Sequence, residues 1–176
     1  MKEVLEIVLP KLIPESIPYR IIPHEGKSDL QGSITRKLRA WNRPARFIII
    51  HDQDSNDCHT LKTHLVQLCE HAGKPDSLVR IACHQLESWF LGDLQAVGVA
   101  YQKNSLATLQ TRGNFWQPDN LNNAKYVLLR LIPEHQQIAG SRAVAPHLSL
   151  ANAHNRSHSF QVFMKGVRKI VREVHP

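Results

Sequence analysis

Two aspartates one residue apart, Asp52 and Asp54, stand just past four consecutive apolar residues, Phe47, Ile48, Ile49 and Ile50. Carboxylates this close repel each other, and a shared cation relieves the repulsion. Their oxygens are hard donors, suited to Mg²⁺ or Mn²⁺. The plainer reading is an acidic turn that caps the helix after it, since Asp, Ser and Asn are all good caps. Glu87 poses the same choice. It follows the apolar run LVRIAC at 78–83, and is either the third wall of a metal site or an acid placed at a helix start by the helix dipole. A third segment, His24–Asp29 (HEGKSD), offers Gly26 for close backbone approach and Lys27 for phosphate. It also reads as an ordinary turn into a helix.

Other chemistries are poorly supported. The phosphate loop G-x-x-x-x-G-K-[ST] is missing, as are C-x-x-C, H-E-x-x-H and G-x-S-x-G. His59 and His64 read as solvated helix residues rather than zinc ligands.

The elements that must position these acids are legible from periodicity. Residues 46–51 (RFIIIH) form the clearest strand, and an unbroken apolar run asks for cover on both faces. Residues 19–23 (YRIIP) and 78–83 read as further strands. Helices are predicted over 3–13, 29–41, 58–71 and 86–101, the first tightened or kinked at Pro10 and the last broken near Gly92. A polar stretch from 103 to 123 reads as loop, and helices follow at 122–132 and 157–173. Strands alternating with helices predict an α/β domain with a mostly parallel central sheet, the 46–51 strand in its middle and helices on both faces. No linker or repeat interrupts residues 1–176, so one domain is expected, an α/β core over 1–101 with a helical C-terminal extension over 102–176. In such sheets ligands gather at the carboxyl ends of the strands, where Asp52, Asp54 and Glu87 fall.

Composition narrows the setting. Twenty-two Lys plus Arg against 15 Asp plus Glu give a net charge of +7, which favours a polyanionic partner. Three cysteines without framework spacing, a first segment interrupted by Glu3 and Glu6, and no membrane-length apolar run predict the cytoplasm and no membrane partner.

The blocks EGKSDL, FIIIHDQDSNDCHTLK, VRIACHQLESWFLGD and NRSHSF resemble a bacterial family, domain of unknown function 4276, with a Toprim-like three-layer fold. That family is distantly similar to the Toprim nuclease domain of OLD-type proteins. The resemblance spans essentially the whole chain and is most specific at D-x-D and LESW. It implies a metal-dependent, phosphodiester-directed site with Asp52, Asp54 and Glu87 as Mg²⁺ or Mn²⁺ ligands. Lys27, Lys62 and Arg80 would neutralise phosphate. The implied partners are nucleic acid, DNA ahead of RNA, and a partner protein in phage defence or DNA maintenance. A non-catalytic nucleic-acid- or protein-binding module is the alternative.

Two alignments compete for the Toprim glutamate. In one it is Glu25, acting as general base. In the other EGKSDL follows the second strand, and the first acidic strand precedes Met1. The second leaves a sheet edge unpaired, to be covered by another chain or by the C-terminal region. Cover by another chain predicts a homodimer, and the missing glutamate predicts little nuclease activity.

Overall fold

A computed structural model describes residues 1–151 and 153–175. The chain opens with α1 (Lys2–Val8), which tightens into a 3-10 turn at Leu9–Lys11 where Pro10 removes a helical donor. After an irregular stretch come α2 (Lys27–Arg39), β1 (Ile48–Asp52), α3 (Cys58–His71) and β2 (Leu78–Ala82). Next are α4 (Glu87–Leu91) and α5 (Leu94–Ala100), parted at Gly92 and Asp93. Three short 3-10 turns occupy most of the polar stretch from 104 to 120. Then α6 (Ala124–Leu131), α7 (Gln137–Val144) and α8 (His158–Val174) complete the order.

β1 and β2 are parallel, with Ile48 opposite Leu78 and Asp52 opposite Ala82. Parallel pairing needs a crossover, and α3 supplies it. Because strand side chains alternate, the ribbon has two inner faces. Ile49, Val79 and Ile81 join Ile34 and Leu38 of α2 and Leu61, Leu65 and Cys69 of α3 in one apolar cluster. Ile48, Ile50 and Ala82 turn the other way, to a larger cluster built on Trp89, Phe90, Phe160 and Phe163. There the Trp89 ring stacks on Phe163 at 5.1 Å. Each such fully enclosed side chain contributes about 1.5–3 kcal/mol by leaving water. The α1 helix sets Val4, Leu5 and Val8 into this larger cluster. Helices therefore cover both faces of the parallel ribbon.

The sheet is smaller than the sequence predicts. Among the described residues it has two strands, so β1 is paired on one side only and is not central. Residues 19–23 form no strand. Pro18 and Pro23 bracket them and lack the N–H that a ladder needs. Tyr19 and Ile22 remain 45% and 44% exposed. The α7 helix was not expected from the sequence. No helix among the described residues is long and apolar enough to cross a membrane.

Candidate functional site

Alternation along β1 decides where each polar residue at its end points. His51 shares the face of Ile49 and is buried. Its Nδ1 meets the Asp52 carbonyl, so Nδ1 carries the proton, and its Nε2 accepts from the Gln31 amide at 3.1 Å. Asp52 falls on the opposite face, with Ile48 and Ile50. It sits deep enough that its Oδ1 is enclosed without a hydrogen-bond donor. Burial pushes the Asp52 carboxyl up to about 6; the N-terminal ammonium and the Leu86 amide pull it down, while Glu87 and Asp54 push it further up. Repulsion between the acids, expected from their spacing, is thus present but secondary to desolvation.

Glu87 opens α4 and is 6% exposed, with no hydrogen bond from any described residue. Its burial goes beyond the needs of an acid at the start of a five-residue helix. The capping explanation also lapses for the aspartates, because Asp57 takes that role, accepting from the Thr60 N–H at 2.8 Å at the start of α3. Asp54 is held instead by its backbone. Its N–H donates to the His84 carbonyl at 2.7 Å, and Gln53 Oε1 accepts from the His84 N–H at 3.1 Å. Asp54 and His84 both take left-handed backbone angles, φ 53° and 55°, which Asp and His tolerate better than most residues, at a cost of about 1 kcal/mol or more each.

The structure thus brings the ends of both strands and the start of α4 together. Lys27, the first residue of α2, reaches across to Asp54 at 3.4 Å. Glu25 lies in the same turn, exposed, its N–H donating to Asp29 Oδ2 at 3.1 Å. Lys62 is exposed on α3 and has no polar partner among the described residues. Arg80 is drawn elsewhere. It lies two residues before the end of β2, and its guanidinium donates to the carbonyls of Val162 at 3.1 Å and Val79 at 2.8 Å. Burial holds its pKa below the usual arginine range.

A metal can be tested against this donor set. Among the described residues no three His, Cys, Asp or Glu side chains gather closely enough to hold an ion. Two carboxylates are in place: Asp52 with its undonated oxygen, and Glu87. Asp54 is turned to Lys27. Mg²⁺ commonly binds through one or two carboxylates, with water and substrate phosphates completing its shell, so the set fits such an ion.

The NRSHSF block builds the support behind this end. Ser157 caps α8 and its Oγ donates to Asp119 Oδ1 at 2.7 Å, while the Ser159 N–H donates to Asp119 Oδ2 at 2.6 Å. Ser159 Oγ accepts from Trp89 Nε1 at 3.0 Å, and Asn155 Nδ2 donates to the Trp89 carbonyl at 2.8 Å. The tail block is therefore fastened directly to LESW.

The family described as a domain of unknown function, DUF4276, matches residues 1–168. The chain belongs to that family. No curated protein and no solved structure matches this DUF4276 chain. Sequence reasoning missed one feature of it, a cleft behind α4 around Asp93 and Arg156. The signal available was the position of both residues inside LESWFLGD and NRSHSF.

Proposed function

We propose that this DUF4276 chain is a Toprim-like, divalent-metal-dependent phosphodiester hydrolase domain acting on nucleic acid in the cytoplasm, in phage defence or DNA maintenance. The observation that carries the reading is half-buried Asp52, one oxygen of which is enclosed without a donor, together with buried Glu87, at the carboxyl end of a parallel ribbon. Enclosing a carboxylate oxygen without a donor close to a second acid is costly, and a site that expects a cation accounts for it. Asp52 and Glu87 would hold Mg²⁺ or Mn²⁺. Such an ion supplies Lewis acidity toward a phosphodiester oxygen and lowers the pKa of bound water. Lys27, beside Asp54, offers charge to the phosphate, and Glu25 in the same turn is the candidate general base.

Calorimetric titration with Mg²⁺ and Mn²⁺ tests this reading. Saturable binding is expected for the wild type, weakened by about tenfold or more in Asp52→Ala and Glu87→Gln. Equal binding by wild type and Asp52→Ala sinks the metal assignment. It would leave the second reading, a non-catalytic nucleic-acid- or protein-binding module. The net charge of +7 and the absence of a three-acid cluster among the described residues favour that alternative.

A further inference from the structure

A cleft of about 440 Å³ lies at the far end of α4 from Glu87, lined by Asp93, Gln95, Gln110, His154 and Arg156 with small alanines between them. Its volume is that of a small-molecule site. The side chains around it differ in how far their bonding is complete. Asp93 is buried and fully engaged: Oδ1 accepts from the Ala96 N–H at 3.0 Å and Oδ2 from the Ser149 N–H at 2.8 Å. Gln110 is equally engaged, accepting from the Leu94 N–H and donating to the carbonyls of Leu91 and Phe115.

Arg156 is the exception. Its guanidinium is half-buried, its Nε is enclosed without an acceptor, and no described residue accepts from its side chain or pairs with its charge. A guanidinium carries five donors in a planar fork. Here the fork is held in place by the Trp116 ring, 4.1 Å from its carbon to the ring centroid. The backbone fixes it as well, since the Arg156 N–H donates to the Gly92 carbonyl at 2.7 Å. A cation fixed on both sides and lacking an acceptor among the described residues is preorganised for an anion with two oxygens to offer.

Trp116 indicates what else that anion carries. The ring is 48% exposed beside the cleft, although a tryptophan free to choose would bury more. With Arg156 on the ring, exposed aromatic surface remains for a second flat group. The Gln95 amide and the His154 ring, both exposed, offer donors and acceptors to the edge of such a group. We propose that this cleft binds a nucleotide, its phosphate on the Arg156 fork and its base against Trp116. The nucleotide is either a free mononucleotide or the phosphorylated end of a single strand. The proposal does not depend on a metal at Asp52.

The test uses the full chain with a chelator present, so that failure of the metal reading leaves it untouched. Adenosine 5′-monophosphate, adenosine, inorganic phosphate, and a hexadeoxyadenylate with and without a 5′-phosphate are titrated calorimetrically. The wild type should bind the monophosphate saturably and adenosine much more weakly. Arg156→Gln should weaken the monophosphate by about tenfold or more, the size of a lost charged hydrogen bond. Arg156→Lys keeps the charge without the fork and should fall between. Trp116→Ala should weaken the monophosphate but leave inorganic phosphate unchanged. The Arg156 side chain makes no hydrogen bond to a described residue, and its contact with the half-exposed Trp116 ring contributes little to stability. Its variants should therefore melt close to the wild type, which circular dichroism checks. Binding only of the phosphorylated oligonucleotide identifies the source as a strand end. Unchanged binding in Arg156→Gln and Arg156→Lys, or no binding of either phosphorylated probe, overturns the proposal.

Discussion

At the residue scale the most informative group is Asp52. Its pKa stands near 6, against an ordinary value of 3.8, chiefly because burial opposes its charge. A carboxyl raised on folding holds its proton longer in the native state than in the unfolded chain. Stability is therefore greatest below the ordinary value and is lost as pH rises from about 4 through about 6. Two pKa units correspond to at most about 3 kcal/mol. Asp52→Asn removes the charge with little change of shape. The variant should be more stable than the wild type at pH 8 by on the order of 2 kcal/mol and indistinguishable from it near pH 3.5, measured by urea unfolding. A wild type that is the more stable at pH 8 in metal-free buffer would show that some group already compensates the charge. The spacing of Asp52, Asp54 and Glu87 was legible in the sequence because strand ends and acids are both local signals. That Asp57 takes the cap was not, since D-S-N-D offers several caps and only the backbone path selects one. Arg80 was expected, through the family resemblance, to neutralise phosphate. That its guanidinium meets the carbonyls of Val162 and Val79 follows from its position inside β2 and the approach of α8, and those are tertiary facts.

At the scale of elements, close packing rests on glycines in two ways. Gly92 ends α4, and a Cβ there would lie 2.1 Å from Asn155 Oδ1 and 2.6 Å from the Ser157 nitrogen. Gly92→Ala should therefore push the NRSHSF block off α4 and cost about 2 kcal/mol or more in urea unfolding. Gly32 is the control. It sits inside α2, where a Cβ meets nothing within 4 Å, so Gly32→Ala should stabilise by about 0.5–1 kcal/mol through helix propensity. Equal effects of the two substitutions would contradict this account. The same elements show where periodicity reads well. The α3 helix spans 58–71 as its Leu61, Leu65 and Leu68 spacing predicts, because one apolar stripe faces one cluster. The α7 helix escaped notice because QIAGSRAV holds Gly140 and Ser141 where a helix pattern wants larger residues. A Cβ at Gly140 would meet the His135 ring at 2.3 Å, so its smallness serves packing and not the helix. Residues 19–22 showed the converse, apolar and strand-like in composition yet denied a ladder by their flanking prolines.

At the scale of the whole molecule, charge is the dominant fact. A surplus of 22 cationic over 15 anionic side chains should draw nucleic acid by counterion release. Affinity for a labelled single-stranded oligonucleotide should fall linearly with the logarithm of salt, with a slope of about −0.7 for each phosphate neutralised. Binding indifferent to salt, or none at low salt, would remove nucleic acid as a partner. The parallel ribbon with helices on both faces was legible from Phe47–Ile50 and the alternation of elements. The size of the sheet was not, because strand pairing depends on which backbone edges meet.

The ribbon between two apolar clusters also guards against a particular error. Ile49, Val79 and Ile81 fill one cluster, while Ile48, Ile50 and Ala82 line the other. A slip of β1 by one residue would turn each of its own side chains to the opposite face, exchanging Ile49 with Ile48 and Ile50 while the β2 residues stayed in place. Asp52 would then be driven in among Leu61 and Leu65, and His51 would be carried toward Glu87. Both interiors reject that arrangement at once. The position of the acid is thus enforced by aliphatic side chains that never touch a ligand, and substitutions among those isoleucines would blur the site before they unfolded the protein.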